Sequence, residues 1–296
     1  MISKEQFERE IDLIIVNAIR EDVGDGDHSS LACIPETARG KARLLVKDNG
    51  IVAGVDFAQR VFKHVDPGLE IDVLMEDGTR VKPGDIVFYV KGSSQAILKA
   101  ERLVLNAMQR MSAIATKTAK YVKLLEGTGA QILDTRKTTP GIRALEKWAV
   151  KIGGGENHRF ALYDMIMLKD NHIDFAGGIS RALEKTRKYL ESRGKDLKII
   201  VEARNMDEVD EILGNEGVYR ILLDNFDYRQ TAEAVRRISG RCQTESSGGI
   251  DESTIRKYAE CGVDYISSGA LTHSVYNMDL SLKAVGEQEG DVHDVI

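Results

Sequence analysis

Two groups of charged residues follow directly after two short apolar runs, and their side chains could do chemistry. Asp134, Arg136 and Lys137 follow the first run. Lys169 follows the second. Residues 133–172 hold seven Lys and Arg but only five Asp and Glu, in a chain whose formal net charge is -6. Polar residues crowded at the end of a buried strand are typical of a functional site, and the local excess of positive charge favours a pocket for a small anion.

Further candidates stand at the ends of later apolar runs and in the loop between the first two runs. They are His158, Arg159, Glu202, Asp224, Ser247, Gly248, Gly249, Ser268 and Gly269. Gly- and Ser-rich turns after strands bind phosphate through backbone N–H groups, and carboxylates such as Glu202 and Asp224 suit a hard cation. The residue types leave a second interpretation open, because strand-end cations also form structural ion pairs and acidic residues also cap helices.

Length and composition indicate a globular protein with one large or two ordinary domains. Its acidic balance argues against nucleic acid as a partner, since binding a phosphate backbone needs a basic face. The first twenty residues are rich in charge, and no apolar run reaches the roughly 18 residues that a membrane helix needs. We therefore expect a cytoplasmic protein without membrane contact. Its cysteines, Cys33, Cys242 and Cys261, lack metal-ligand spacing and are expected to be reduced.

Hydrophobic spacing predicts the elements that hold the candidate residues. A helix is expected over 4–20, and a long helical stretch over 95–125. Between them, turn signals separate short predicted strands, including 42–46, 51–55 and 86–90. The N-terminal part of the chain is therefore predicted to be an α+β domain.

From residue 130 onward, apolar runs alternate with amphipathic helices. Six such runs are predicted strands, at 131–133, 165–168, 198–201, 220–223, 242–244 and 264–266. Repeated βα units predict a parallel sheet. Nearly every run ends in polar residues, which favours a (β/α) barrel over an open sheet, because a barrel brings all its strand ends to one active face. The sequence contains no G-x-G-x-x-G or Walker-type loop, which argues against the nucleotide-binding folds.

Several stretches resemble one known family, in order and over most of the chain. The clearest are 134–141 (DTRKTTPG), 153–155 (GGG), 158–159 (HR) and 169–172 (KDNH), with further matches at 21–22, 26–27, 100–106, 109–112, 114–116, 224–225, 247–249 and 269–272. They closely resemble the signature of nicotinate-nucleotide pyrophosphorylase (carboxylating), also called quinolinate phosphoribosyltransferase. The resemblance implies an N-terminal α/β sandwich domain, an irregular (β/α) barrel and an obligate homodimer. The implied reaction converts quinolinate and phosphoribosyl pyrophosphate (PRPP) into nicotinate mononucleotide, pyrophosphate and CO2 with Mg2+, in de novo NAD biosynthesis.

The resemblance also implies roles for individual residues. Those implied for quinolinate are Arg102, Arg136, His158, Arg159 and Lys169, with Arg102 supplied by the neighbouring subunit. Those implied for PRPP are Lys137, Glu202, Asp224, Ser247, Gly248, Gly249, Ser268 and Gly269. The implied catalytic residues are Lys169, Glu202 and Asp224, of which the two carboxylates are also the implied Mg2+ ligands.

We predict that residues 113–270 form the barrel and that residues 1–112, joined by the tail 271–296, form the sandwich domain. Ile200 departs from the family pattern, because many members have a glutamate there. Three alternatives stay open on the sequence alone. They are a related protein associated with molybdenum transport, a phosphate-binding barrel aldolase or isomerase with a Schiff-base lysine or a general base, and a non-catalytic binder that docks a partner on its N-terminal sheet.

Overall fold

The computed structural model describes residues 2–286, and the chain divides into two compact units. They are the sandwich unit (residues 3–117, 139–153 and 275–286) and the barrel unit (residues 2, 118–138 and 154–274). Residues 287–296, at the end of the predicted tail 271–296, lie outside the described residues. The predicted domain limits at 112 and 270 stay a prediction.

The described helices and strands follow one another in mixed α/β order. The helices are α1 (Lys4–Val23), α2 (His28–Cys33), α3 (Val55–Val65), α4 (Ser94–Leu125), α5 (Arg143–Ile152), α6 (Asp170–Ala176), α7 (Ile179–Arg193), α8 (Met206–Leu213), α9 (Tyr228–Ile238), α10 (Ile255–Glu260) and α11 (Ala270–His273). The strands are β1 (Arg39–Val46), β2 (Gly50–Ile51), β3 (Glu70–Val73), β4 (Arg80–Val81), β5 (Ile86–Ser93), β6 (Gln131–Leu133), β7 (Ile166–Leu168), β8 (Ile199–Ala203), β9 (Arg220–Asp224), β10 (Gln243–Ser247), β11 (Tyr265–Ser267) and β12 (Leu280–Ala284). None of the described helices combines the length and the apolar character needed to cross a membrane.

The sandwich unit is built on a four-stranded antiparallel sheet with the order β12-β1-β5-β3. Its core includes Phe62 and Phe88, whose rings meet edge to face with centroids 5.9 Å apart. The predicted N-terminal helix is confirmed as α1, which buries Ile11, Ile14 and Ile15. Their spacing of three and four residues places them on one face of the helix, as the periodicity predicted.

The predicted strand at 51–55 is wrong beyond Ile51. β2 ends there, and Val55 is already the first residue of α3. The turn between them uses Gly54, whose φ of +97° lies in the left-handed region. Asp77 then caps α3 from a separate loop, because its Oδ1 accepts the backbone N–H of Val55 at 2.9 Å. A short apolar run fits a strand or a helix start equally well, so periodicity alone does not separate the two.

The barrel unit contains a six-stranded parallel sheet with the order β6-β11-β10-β9-β8-β7. All six predicted strands are confirmed, and β10 continues to Ser247, beyond its predicted end at 244. Among the described residues β6 and β7 are the edges of this sheet, and Leu133 of β6 also bridges to Glu156. Parallel pairing brings the carboxyl ends of all six strands to the same edge, so their polar residues converge there.

The register of the central strands decides which polar residues face each other. Arg220 lies beside Gln243, and Leu222 lies beside Glu245. Because alternate residues of a strand share a face, Arg220 and Glu245 lie on the same face of the sheet. Ile200, the residue that departs from the family pattern, is fully buried beside Arg220 in the neighbouring strand.

Candidate active site

A cavity of about 790 Å³ lies in the barrel unit at the carboxyl ends of the strands. Twelve of the thirteen predicted site residues line it, namely Arg136, Lys137, His158, Arg159, Lys169, Glu202, Asp224, Ser247, Gly248, Gly249, Ser268 and Gly269. The thirteenth, Arg102, is an exposed residue of α4 in the sandwich unit and is not among the lining residues. The cavity is also lined by residues that the sequence did not single out for it, including Asn225, Glu245 and His273.

Of the described residues, four Lys and Arg line the cavity: Lys137 lies beside the glycine turn after β11, and the other three are Arg136, Arg159 and Lys169. Arg159 is buried, with 7% relative exposure, and its Nη1 donates to the Met165 carbonyl oxygen at 3.2 Å. Burial, together with the positive charge of Arg136, lowers the pKa of Arg159. The Nε of Arg136 is buried without a hydrogen-bond partner in the described part of the chain. Guanidinium groups held together against their mutual repulsion are stabilised by an anion, and each charge counts for more away from water.

His158 is held in place through its backbone and through the Nδ1 atom of its ring, and its Nε2 faces a carboxylate. The buried Asp134 carboxylate, which follows β6, accepts the backbone N–H of His158 at 2.9 Å. The Nδ1 of His158 accepts the backbone N–H of Arg159 at 2.6 Å, and its Nε2 lies 3.3 Å from Glu245 Oε2. A ring nitrogen that accepts a hydrogen bond carries no proton, so these contacts place the imidazole hydrogen on Nε2.

Glu245 was not predicted as a site residue, although it is a fully buried carboxylate in the cavity wall. Its Oε2 lies 2.7 Å from Arg220 Nη1, and the Arg220 guanidinium lies over the Tyr265 ring at 4.0 Å. Burial alone would raise the pKa of Glu245, but the nearby His158 ring and the positive charge of Arg220 lower it to about 2. The sequence shows Arg220 at the start of one predicted strand and Glu245 directly after another, and their pairing depends on a register that the sequence does not give.

Glu202 and Asp224 end neighbouring strands, and both line the cavity. Glu202 is buried, and its Oε2 lies 3.4 Å from Lys169 Nζ. Asp224 Oδ2 accepts a hydrogen bond from Asn225 Nδ2 at 2.8 Å. The described residues contain no group of three or more side chains suited to a metal ion. Two carboxylates nevertheless fit Mg2+, which proteins commonly hold through one or two carboxylates together with substrate phosphates and water.

Two turns after β10 and β11 bring the backbone close to neighbouring side chains. Gly248 has a φ of +103°, and a Cβ there would lie 2.1 Å from Asn225 Oδ1. A Cβ on Gly269 would lie 2.8 Å from Lys137 Cδ and 3.0 Å from His273 Nε2. Gly248 therefore has to be glycine, whereas a side chain at Gly269 would have to displace the side chains of Lys137 and His273. A backbone exposed in this way, beside a lysine and a histidine, can bind phosphate through its N–H groups.

His172 supports the loop that carries Lys169. Its Nδ1 accepts the backbone N–H of Lys169 at 3.1 Å, which caps the start of α6. The N–H of Asp170 points to Glu202 Oε1 at 3.5 Å. The Glu202 carboxylate thus contacts both the Lys169 ammonium group and the backbone N–H of Asp170, and these contacts hold the ammonium group at the cavity.

Two family models match the chain. One, described as "Quinolinate phosphoribosyl transferase, C-terminal domain", covers residues 114–283, and the other, "Quinolinate phosphoribosyl transferase, N-terminal domain", covers residues 27–112. A rice protein (Oryza sativa subsp. japonica) named nicotinate-nucleotide pyrophosphorylase (carboxylating), chloroplastic, is 45% identical over 285 residues, which are 91% of this chain and 76% of the relative. A tobacco protein (Nicotiana tabacum) named quinolinate phosphoribosyltransferase (decarboxylating) 1b is 45% identical over 285 residues, 91% of this chain and 81% of the relative.

A solved structure is also similar to this chain over nearly its whole length. NadC from Streptococcus pyogenes superposes with a TM-score of 0.86 at 37% identity, over 97% of this chain and 99% of that chain. These similarities agree with the motifs at the strand ends and with the mixed α/β architecture of a parallel six-stranded sheet and a separate antiparallel sheet. The chain therefore belongs to the quinolinate phosphoribosyltransferase family.

Proposed function

We propose that this protein transfers the phosphoribosyl group of PRPP to quinolinate with loss of one carboxylate, giving nicotinate mononucleotide, pyrophosphate and CO2 in de novo NAD biosynthesis. The names of the rice and tobacco relatives support this reaction and do not favour the molybdenum-transport, aldolase or binder alternatives. The observation that carries the proposal is the buried Arg159 held beside Arg136 in a cavity that Lys169 also lines. A compact dianion is the ligand that such a cluster stabilises best.

The proposal assigns Arg136, Arg159 and Lys169 to the two carboxylates of quinolinate, with His158 supporting them. A dicarboxylate would leave little excess charge in the cluster. Nicotinate has one carboxylate and would leave at least one cation uncompensated. Stranding a buried charge commonly costs about 3–5 kcal/mol, which favours quinolinate over nicotinate by roughly 10²-fold or more.

The proposal assigns a second set of lining residues to PRPP. Its phosphate groups would be bound by the glycine turns and their neighbours, namely Lys137, Ser247, Gly248, Gly249, Ser268 and Gly269. The Glu202 and Asp224 carboxylates would hold the ribose hydroxyls. They would also hold Mg2+, which when bound neutralises charge on the pyrophosphate leaving group.

The residues contribute mainly by positioning the reactants and stabilising charge. As the bond from ribose C1 to the pyrophosphate oxygen breaks, C1 becomes positive, and the nearby carboxylates of Glu202 and Asp224 stabilise it. The pyridine nitrogen then bonds to C1 and becomes cationic. That cation accommodates the electron pair left at C2 when CO2 departs, after which C2 takes up a proton. Lys169 holds the dianion in the orientation that this sequence requires.

We further propose a cytoplasmic homodimer in which Arg102 acts in the cavity of the neighbouring subunit. Arg102 is exposed, does not line the cavity of its own chain, and matches a family position that supplies a cation in trans. Mixing Arg102→Ala with Lys169→Ala protein should restore activity that neither variant shows alone. Inactive mixtures in which hybrid dimers are shown to form would contradict the proposal, and two batches of Arg102→Ala serve as the control.

The test of the reaction is a complete balance of its products. The purified protein is incubated with quinolinate, PRPP and Mg2+, and nicotinate mononucleotide, pyrophosphate and CO2 are each quantified. We expect equal amounts of all three, with Lys169→Ala as the matched inactive control. Mononucleotide formed without CO2, or no mononucleotide at all, would contradict the proposed reaction.

A further inference from the structure

Four groups form a continuous chain from the barrel interior to the cavity. Arg220 Nη1 lies 2.7 Å from Glu245 Oε2, which lies 3.3 Å from His158 Nε2. At the other side of the imidazole ring, Nδ1 accepts the backbone N–H of Arg159 at 2.6 Å. The side chains of Arg220, Glu245 and His158 are each at least nine-tenths buried, so water does not compete for these contacts.

The tautomer of the His158 ring decides whether these four groups can stay in contact. Nδ1 can accept the Arg159 N–H only if the ring hydrogen is on Nε2. A carboxylate is an acceptor without a donor of its own, so Glu245 facing Nε2 favours that tautomer and that ring orientation. Arg220 in turn keeps the carboxylate charged and aimed at the ring.

We propose that Glu245 is a positioning residue for the dicarboxylate substrate, which acts through His158 to fix the backbone and hence the guanidinium of Arg159. The assignment rests on the proposed function, because it takes the Arg159 guanidinium as a ligand of quinolinate. The proposal gives Glu245 no contact of its own with the substrate. The Arg220–Glu245 pair therefore contributes to quinolinate affinity and not only to the stability of the barrel.

The competing explanation is a buried ion pair with a structural role alone. Removing the charge of one partner strands the other charge and costs about 3–5 kcal/mol in stability under either explanation, so a loss of stability alone does not separate the two. The informative variant is therefore the double change Arg220→Met with Glu245→Leu, which removes both charges and takes the carboxylate acceptor away from His158 Nε2. Glu245→Gln is the conservative variant, since its amide oxygen can still accept from Nε2. Asp264→Asn is the matched control, because Asp264 Oδ2 accepts from the backbone N–H and hydroxyl of Thr244 at the other end of the same strand.

Quinolinate and PRPP affinities are measured separately by calorimetry on each folded variant. The His158 tautomer is read from nitrogen-15 spectra of histidine-labelled protein and assigned with His158→Gln. We expect the Nε2–H form in the unmodified protein. In the double variant that form should be lost, and quinolinate binding should weaken about tenfold or more while PRPP binding changes less than about twofold. Glu245→Gln should weaken quinolinate binding less, and Asp264→Asn should change neither affinity.

Two binding results would overturn this assignment without affecting the proposed function. One is a folded double variant that binds quinolinate as tightly as the unmodified protein, and the other is an equal loss of quinolinate and PRPP binding. Failure of the unmodified protein to bind or convert quinolinate would instead overturn the proposed function, and this assignment with it. The tautomer of the unmodified protein separates the cases further, since an Nδ1–H form would contradict the positioning role whatever the substrate.

Discussion

The turn after β10 allows a sharp test of the PRPP side of the cavity, through Gly248→Ala. A Cβ at this position would lie 2.1 Å from Asn225 Oδ1 and 3.0 Å from the Asn225 backbone nitrogen. The Asn225 side chain would therefore have to move by about 0.9 Å to reach even 3.0 Å, the shortest normal distance. That movement breaks the geometry of its 2.8 Å hydrogen bond to Asp224. A misplacement of about 1 Å at a catalytic group can lower the rate by about 10²-fold.

The same substitution also has a cost in stability, which must be separated from the effect on the site. An alanine with a φ of +103° costs about 1–2 kcal/mol in backbone strain, or a few degrees in the unfolding temperature. Gly129→Ala is the matched control, because Gly129 has a φ of +80° and does not line the cavity, and a Cβ there would meet no atom within 4 Å. It should reproduce the strain without the displacement of Asn225.

Steady-state kinetics and thermal unfolding of the two variants together give the result. We expect kcat/KM for PRPP to fall about 10²-fold in Gly248→Ala and less than about twofold in Gly129→Ala, with comparable decreases in the unfolding temperature. Near-normal kinetics in Gly248→Ala would refute the reasoning, because they would show that Asp224 does not depend on this close approach.

Three further predictions concern Glu245, Lys169 and Asp77. Because the pKa of Glu245 is lowered from 4.5 to about 2, its stabilising effect is complete above about pH 4.5 and is lost as the pH falls toward 2. Denaturant titrations should give Glu245→Gln a free energy of unfolding about 3 kcal/mol lower than that of the unmodified protein at pH 6, and nearly the same value near pH 2. A difference that does not change with pH would contradict this. Lys169→Ala should weaken quinolinate binding far more than PRPP binding in calorimetry, and equal losses would argue against a quinolinate ligand. Asp77→Ala should lower stability by about 1 kcal/mol in thermal unfolding with unchanged kcat, since it removes only the cap of α3.

The strands of the barrel unit, and twelve of the residues that line its cavity, were predictable from the sequence. Most of the strands are apolar runs between helices, and parallel pairing brings residues such as Asp134, Lys169 and Glu202 to one edge. The roles assigned to these residues stay proposals. This prediction uses only the polar residues that follow apolar runs, so it does not require the register in which the strands pair.

Contacts that depend on register or on tertiary packing could not be predicted in this way. Glu245 meets Arg220 only because β9 and β10 pair in one register, which no local pattern specifies. The start of α3 depends on a cap from Asp77, which is distant in sequence. Likewise, the place of α5 in the sandwich unit involves a ring contact between Phe7 and Trp148, with centroids 5.6 Å apart, which joins residues distant in sequence.

The most direct test of the central claim is a competition between quinolinate and nicotinate for the same cavity. Both substrates, carrying different isotopic labels, are supplied at equal concentration with limiting PRPP and Mg2+. Because two carboxylates compensate the cluster of Arg136, Arg159 and Lys169 and one does not, we expect the mononucleotide to carry the quinolinate label by roughly 10²-fold or more. Comparable amounts of the two labels in the product would contradict the assignment of this cavity to a dicarboxylate.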